Sequence, residues 1–129
     1  MVSEVVASLV VSDTQRILDH EMVPYDIQAT RVHVEMLGRV GIVSKEATDA
    51  LCTALDAILV DHSQGTFQID PNLGAQLTLE REVIRRVGEE VGLAMHTARS
   101  RNDQVMVTET LFVRAKVRAI RVALDQVVQ

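Results

Sequence analysis

The sequence predicts an all-α fold, and three observations carry that expectation. Apolar residues make up 47% of the 129, yet only Tyr25, Phe67 and Phe112 are aromatic, so Val, Leu, Ala and Ile must build the core. Two prolines and six glycines are too few for a disordered or collagen-like chain. Apolar positions recur at steps of three and four, the spacing of one helix face. The length suits one ordinary domain with a modest core.

The first helix is expected from Asp13 to Leu37, with Ser12 and Gln15 as a capping-box pattern and Gly38 and Gly41 as the stop. Pro24 falls inside this run. A mid-helix proline removes a hydrogen bond and clashes one turn back, so a break there, or the first turn of a second piece, is expected. Beyond it Ile27, Thr30, Val34 and Leu37 form one buried stripe. Ser44 caps a second helix to about His62, with Leu51, Ala54, Leu55, Ile58 and Leu59 as its apolar face, Cys52 beside that face and Gly65 at the exit.

The pair Asp70-Pro71 is the next start signal, an N-cap with proline at the first helical position. It leads through Leu77, Ile84 and Val87 to Gly88 and Gly92. Leu93 to Arg101 is less periodic and reads as a loop. It feeds a last helix, capped by Asn102 or Asp103, of about 25 residues and roughly 38 Å. Thr110, Arg114, Arg118, Arg121 and Asp125 form its polar stripe, and nearly everything else from Leu111 to Val128 is apolar. Such a helix needs partners on several sides, more than three short helices supply, so further chain or further subunits are expected to cover it.

Composition also excludes functions. A net charge of −5 with so few rings argues against a nucleic-acid partner. No run of 18 uncharged apolar residues exists, so no membrane span is expected. Met1 to Val11 is apolar but carries Glu4 and lacks a basic leader and a cleavage site, so it does not read as a signal peptide. One cysteine allows no internal disulfide, and a soluble, cytoplasmic protein in a reducing compartment is expected.

Most polar candidates read as packing or solvated charge. His20, His33, His62 and His96 are scattered without metal-ligand spacing, so no metal is expected, and His33 reads as a hydrogen-bonded packing residue. Cys52 reads as an inert thiol beside an apolar face. The glycines lack phosphate-loop spacing. Glu80, Glu82, Glu89 and Glu90, with Arg81, Arg85 and Arg86, read as paired surface charge without a catalytic role.

One stretch differs: His96-Thr97-Ala98-Arg99-Ser100-Arg101-Asn102-Asp103-Gln104. It sets two guanidiniums, two hydroxyls and a carboxamide in a loop just before a helix amino terminus. With Asp103 as cap, Ser100, Arg101 and Asn102 project near the positive end of the helix dipole, a suitable place for a small carboxylate. On chemistry alone the same string also reads as a polar, capped loop.

As a string it closely resembles the HTGRSRNDQ signature of argininosuccinate lyases, in the fumarase/aspartase superfamily, with Ala98 where glycine is usual. Upstream, Tyr25-Asp26-Ile27, Thr30, His33 and Met36-Leu37 resemble that family's YDI-x-x-S-x-x-H-x-x-ML segment, and the order of elements matches from about Val11 onward. The resemblance implies an amino-terminal helical domain over 1–101, ending in the substrate loop, and the start of the first long central-bundle helix over 102–129. It implies β-elimination of argininosuccinate to arginine and fumarate with no metal or organic cofactor. Ser100, Arg101 and Asn102 would contact the substrate, and Thr30 would supply a hydroxyl where the family has serine.

Two departures stand out. Where the family reads D-x-H-M-x-x-E, this chain reads Gly74-Ala75-Gln76-Leu77-Thr78-Leu79-Glu80, so Gln76 replaces a histidine associated with the active site. Glutamine can donate a hydrogen bond but cannot carry a proton at neutral pH. Family members are also several times longer, and their sites are assembled from three subunits of a tetramer. The histidine-bearing second signature and the serine-bearing mobile loop of the third are missing here, so no acid/base residue is expected in this chain. The proton chemistry would come from the rest of a lyase chain or a separate second component, in a homo- or hetero-oligomer. An inactive binding or regulatory module, or a structural assembly subunit, is the alternative.

Overall fold

Five helices and no strand occupy residues 13–128, the residues this computed structural model describes, and the chain is all-α as its sequence predicts. They are α1 (Asp13–Arg39), α2 (Lys45–Ser63), α3 (Gly74–Val87), α4 (Glu89–Ala94) and α5 (Arg101–Val128). The expected cap at Ser12 and the apolar stretch Met1 to Val11 lie outside the described residues, as does the Gln15 side chain. α1 is the hub: α2, α3 and α5 all pack on it, while α3 and α4 close the layer against α2.

The core follows from the helix stripes. Ile27, Thr30, Val34 and Leu37 of α1 are buried as their spacing requires. Of this helix, Val23, Ile27 and Val34 join one core cluster with Leu51, Leu55 and Ile58 of α2, Ala75, Leu79 and Val83 of α3, and the connecting residues Phe67 and Met95. Ser44 caps α2 as expected, its hydroxyl accepting from the Ala47 N–H. Leu59 falls off that helix's buried face and is 37% exposed. Burial raises the pKa of the half-buried Cys52 thiol, consistent with an inert packing residue.

Three expectations fail for identifiable reasons. α1 runs unbroken through Pro24, and Gly38 lies within it. Proline offers no N–H to the His20 carbonyl, and that oxygen instead accepts from His62 Nε2 of α2 at 2.9 Å. A partner 42 residues away thus meets the need that a break in the helix would otherwise relieve. The second failure is at Asp70-Pro71, which makes a turn and not a helix start. The Asp70 carboxylate accepts from the Asn72 N–H, and Gly74, at φ +73°, holds a left-handed conformation that blocks helix propagation from Asp70. α3 therefore begins at Gly74, and its buried face is Ala75, Thr78, Leu79 and Val83, leaving Leu77 41% exposed. The third concerns Gly92, which is not a stop. It sits inside α4, where a Cβ would lie 2.6 Å from Ile84 Cγ1 and 2.8 Å from Ile84 Cα, so glycine is what lets α4 fold back on α3.

A charged staple ties α3 to α2. Glu82 accepts from both Arg85 and Arg86, and Arg86 also reaches Asp61 of α2. The Arg85 hydrogen bond, reinforced by Arg86, holds the Glu82 carboxyl down at about 2. A carboxylate with a depressed folded pKa stabilises the fold above its ordinary value of 4.5, and that stabilisation is lost as pH falls from 4.5 toward 2. Glu82→Gln is expected to lower stability at neutral pH by about 1 kcal/mol, because the pair is only partly buried. Urea unfolding at stepped pH should show the difference from the unsubstituted protein closing over that acid interval.

Candidate functional site

The segment Met95–Ser100 leaves α4, turns across α1 and delivers the chain to the start of α5. Two side-chain ties fix it to α1. His33 Nε2 donates to the Thr97 carbonyl at 2.9 Å, and burial lowers the pKa of that ring, as a packing histidine requires. Arg99 Nη2 donates to Thr30 Oγ1 at 3.3 Å. Between them Ala98 has φ +58°, the only non-glycine residue with positive φ among those described. This left-handed step reverses the chain, and a side chain at Cβ makes it cost about 1 kcal/mol.

Ser100, not Asn102 or Asp103, is the cap of α5. Its hydroxyl is 3.2 Å from the Asp103 N–H, which donates to it, and the Asp103 carboxylate accepts from the Ser100 N–H and hydroxyl. This is a reciprocal capping box in which Asp103 sits three residues into the motif. The Ser100 hydroxyl and N–H hold the Asp103 pKa below its ordinary value. The negative carboxylate also lies where the helix dipole favours it.

The two guanidiniums of the loop diverge. Arg99 turns inward and is half-buried, with its pKa lowered by burial. Arg101 turns outward and donates to Glu80 Oε2 of α3 at 2.9 Å, while His96 Nε2 lies 3.0 Å from the same oxygen. Asn102 is exposed on the first turn of α5. Of the residues expected to meet substrate, Ser100, Arg101 and Asn102 therefore share the mouth of α5. Thr30 is fully buried beneath Arg99.

Below the loop lies a buried polar knot that sequence reasoning passed over. Asp26 of α1 is 2% exposed. Its Oδ1 accepts from Gln104 Nε2 at 2.7 Å and from the Thr30 and Thr108 hydroxyls at 3.4 Å each. Burial raises the Asp26 pKa, opposed by Gln104, by the Arg99 charge and by the two threonines. One signal was available: Asp26 stands one residue before Ile27 and four before Thr30, a charged residue on the buried stripe.

Asp26 also lines a cleft of about 330 Å³ between α1, α3 and α5, together with Gln76, Arg101, Thr108 and Glu109. The cleft lining therefore carries one guanidinium, Arg101, one carboxamide, Gln76, and the carboxylates of Asp19, Asp26 and Glu109. Of these groups Arg101 is the one that can hold an acid group, through the N–H donors it does not give to Glu80. Gln76 and Arg101, far apart in sequence, meet here.

An all-α chain whose long final helix opens on this Ser-Arg-Asn mouth matches, over residues 4–129, a family profile described as lyase, and the chain belongs to that family. Within it the chain corresponds to the amino-terminal portion of argininosuccinate lyases. It is 39% identical to the argininosuccinate lyase of Synechococcus sp. (strain JA-3-3Ab) over 107 residues, 82% of this chain and 22% of that protein. It is 40% identical to that of Desulforudis audaxviator over 104 residues, 80% of this chain and 22% of that protein. The Syntrophotalea carbinolica enzyme is 36% identical over 110 residues, 84% and 24% respectively. The chain thus spans less than a quarter of the length of these relatives.

The strained backbone gives a direct test. Ala98→Gly removes the Cβ penalty but adds freedom to the unfolded chain, so a small net gain of about 0.5 kcal/mol or less is expected. Thermal unfolding followed by circular dichroism should show a higher midpoint; a lower one would mean that the left-handed step is not strained.

Proposed function

We propose that this chain is the substrate-carboxylate-binding part of an argininosuccinate-lyase-like enzyme, which eliminates fumarate from argininosuccinate to leave arginine. The observation that supports it best is the mouth of α5. There Arg101, beside Ser100 and Asn102, borders a cleft next to a helix amino terminus. In the elimination a proton leaves the carbon beside a carboxylate, and negative charge builds on that carboxylate. Fixed donors aimed at it lower the barrier, because they need not reorganise as the charge grows. Arg101 and Asn102 supply those donors; the Ser100 N–H and hydroxyl are given to Asp103 and shape the turn that presents them, and the buried Thr30 hydroxyl is given to Asp26 beneath Arg99. On this reading residues 1–101 form a helical domain that ends in the substrate loop, and 102–129 open a central bundle.

No residue of this chain is assigned the proton transfer. That work falls to other polypeptide carrying the remaining conserved regions, in a cytoplasmic oligomer that is tetrameric by resemblance, within arginine biosynthesis. The exposed apolar residues Val113, Val117, Ile120 and Leu124 of α5 suit burial in such an assembly. No metal or organic cofactor enters the scheme. Gln76 on the cleft wall favours a second reading, a binding module that kept the fold and lost turnover, because a carboxamide cannot carry the proton a histidine would.

Ultraviolet assay of fumarate release separates the two, with this chain alone and with candidate partner chains added. Turnover only on mixing supports the lyase; carboxylate binding without turnover supports the module. In an active mixture Arg101→Ala should lower kcat by about 100-fold or more, the usual consequence of removing one preorganised donor. Unchanged turnover would remove Arg101 from the site.

A further inference from the structure

We propose that Asp26 is a positioning residue, whose buried carboxylate sets the geometry of the carboxylate-binding mouth by anchoring α5 through Gln104 and Thr108 and drawing Arg99 inward through Thr30. The inference rests on the reading of that mouth given above.

Three segments converge on one carboxylate. Thr30 comes from one turn further along α1, while Gln104 and Thr108 come from the first two turns of α5. Arg99 reaches the same centre by donating to Thr30, which in turn donates to Asp26. Asp26, Thr30, Gln104 and Thr108 are each no more than 2% exposed, so a missing partner here would not be made good by bulk water. Packing alone would be served as well by apolar residues at these positions, since a buried charge is a poor route to stability.

What the charge does provide is discrimination between two arginines only two residues apart. With Ala98 reversing the chain, Arg99 goes to the negative centre and Arg101 goes outward to Glu80 and the cleft. Remove the charge and the stronger of two attractions on Arg99 is lost, leaving only that of Asp103 on the exposed first turn of α5. The turn can then rotate, and Ser100 to Asn102 lose their fixed aim.

The experiment compares the full chain with Asp26→Asn, which keeps size and hydrogen bonding but removes charge. Hydrogen exchange of the Arg99 Nε–H, followed by NMR, reads the inward position without any ligand. Protection of Arg99 relative to Arg101 is expected in the unsubstituted chain, with a loss of about tenfold or more in Asp26→Asn. The thermal midpoint should stay level or rise, because a buried charge has been removed. A fumarate titration of the Ser100–Asp103 amides, in the mixture with partner chains, should weaken about tenfold, as a displaced binding group does.

Retained Arg99 protection in Asp26→Asn would overturn the proposal. So would a fall in midpoint that parallels the loss of protection, the signature of a merely structural residue. Should Asp26→Asn not fold, Asp26→Ser, which also removes the charge and keeps an oxygen that can accept from Gln104, carries the same comparison and the same criteria. Absence of any fumarate response in the unsubstituted protein would instead sink the carboxylate reading of the mouth, and the exchange measurement would still decide the role of Asp26.

Discussion

The carboxylate of Asp26 is the one charged group buried in a mainly aliphatic interior among the described residues, and much of the site's geometry is arranged around it. Ionised carboxylates leave water only at high cost unless donors replace the hydration shell. Here Oδ1 takes one donor from α1 itself and two from α5 while Oδ2 has no partner among the described residues, so keeping the three donors on Oδ1 requires α5 to lie along α1 in one register. The Tyr25–Phe112 edge contact and the Lys116–Glu21 ion pair continue that seam further up the two helices. Apolar packing would bring α1 and α5 together in several near-equivalent ways; the polar knot selects among them.

The loop before α5 is the other half of this arrangement. Its backbone reversal at Ala98 is strained, and its cap at Ser100 is local and self-contained. Neither feature alone decides which way the arginines point. The His33 tie to Thr97 fixes where the loop enters, the capping box fixes where it leaves, and the buried charge decides which guanidinium lies inside. A glycine at position 98 would relax the reversal without changing these anchors, which explains in physical terms why glycine suits this point of the motif.

Local rules made much of this legible in the sequence. The stripe Ile27–Leu37 and the cap at Ser44 were readable because each depends on residues within one or two turns. The continuity of α1 through Pro24 was not, since the carbonyl that proline leaves unpaired is served by His62, 42 residues away. Asp70-Pro71 has every local mark of a helix start, and the left-handed Gly74 that overrules it reads, as a sequence, like an ordinary glycine. The mouth of α5 was visible as a motif, but its cap was displaced by two or three residues because Ser100 and Asp103 can each serve the other. Glu80, read as solvated charge, holds Arg101; Asp26, part of a recognised segment, revealed nothing of its role without Gln104 beside it.

α5 joins two unlike regions in one rod of 28 residues, about 42 Å long. Its first turns are locked by a buried charge and a capping box. From Val113 onward its apolar side chains face outward, with Val117, Ile120 and Leu124 each more than half exposed. A helix is stiff over this length, so whatever covers the far half is placed, through the same rod, relative to Ser100, Arg101 and Asn102. On the lyase reading this is how acid/base groups from other polypeptide would meet a carboxylate held here: the distance between them is set by helix geometry, and the angle by the buried hydrogen bonds of Asp26.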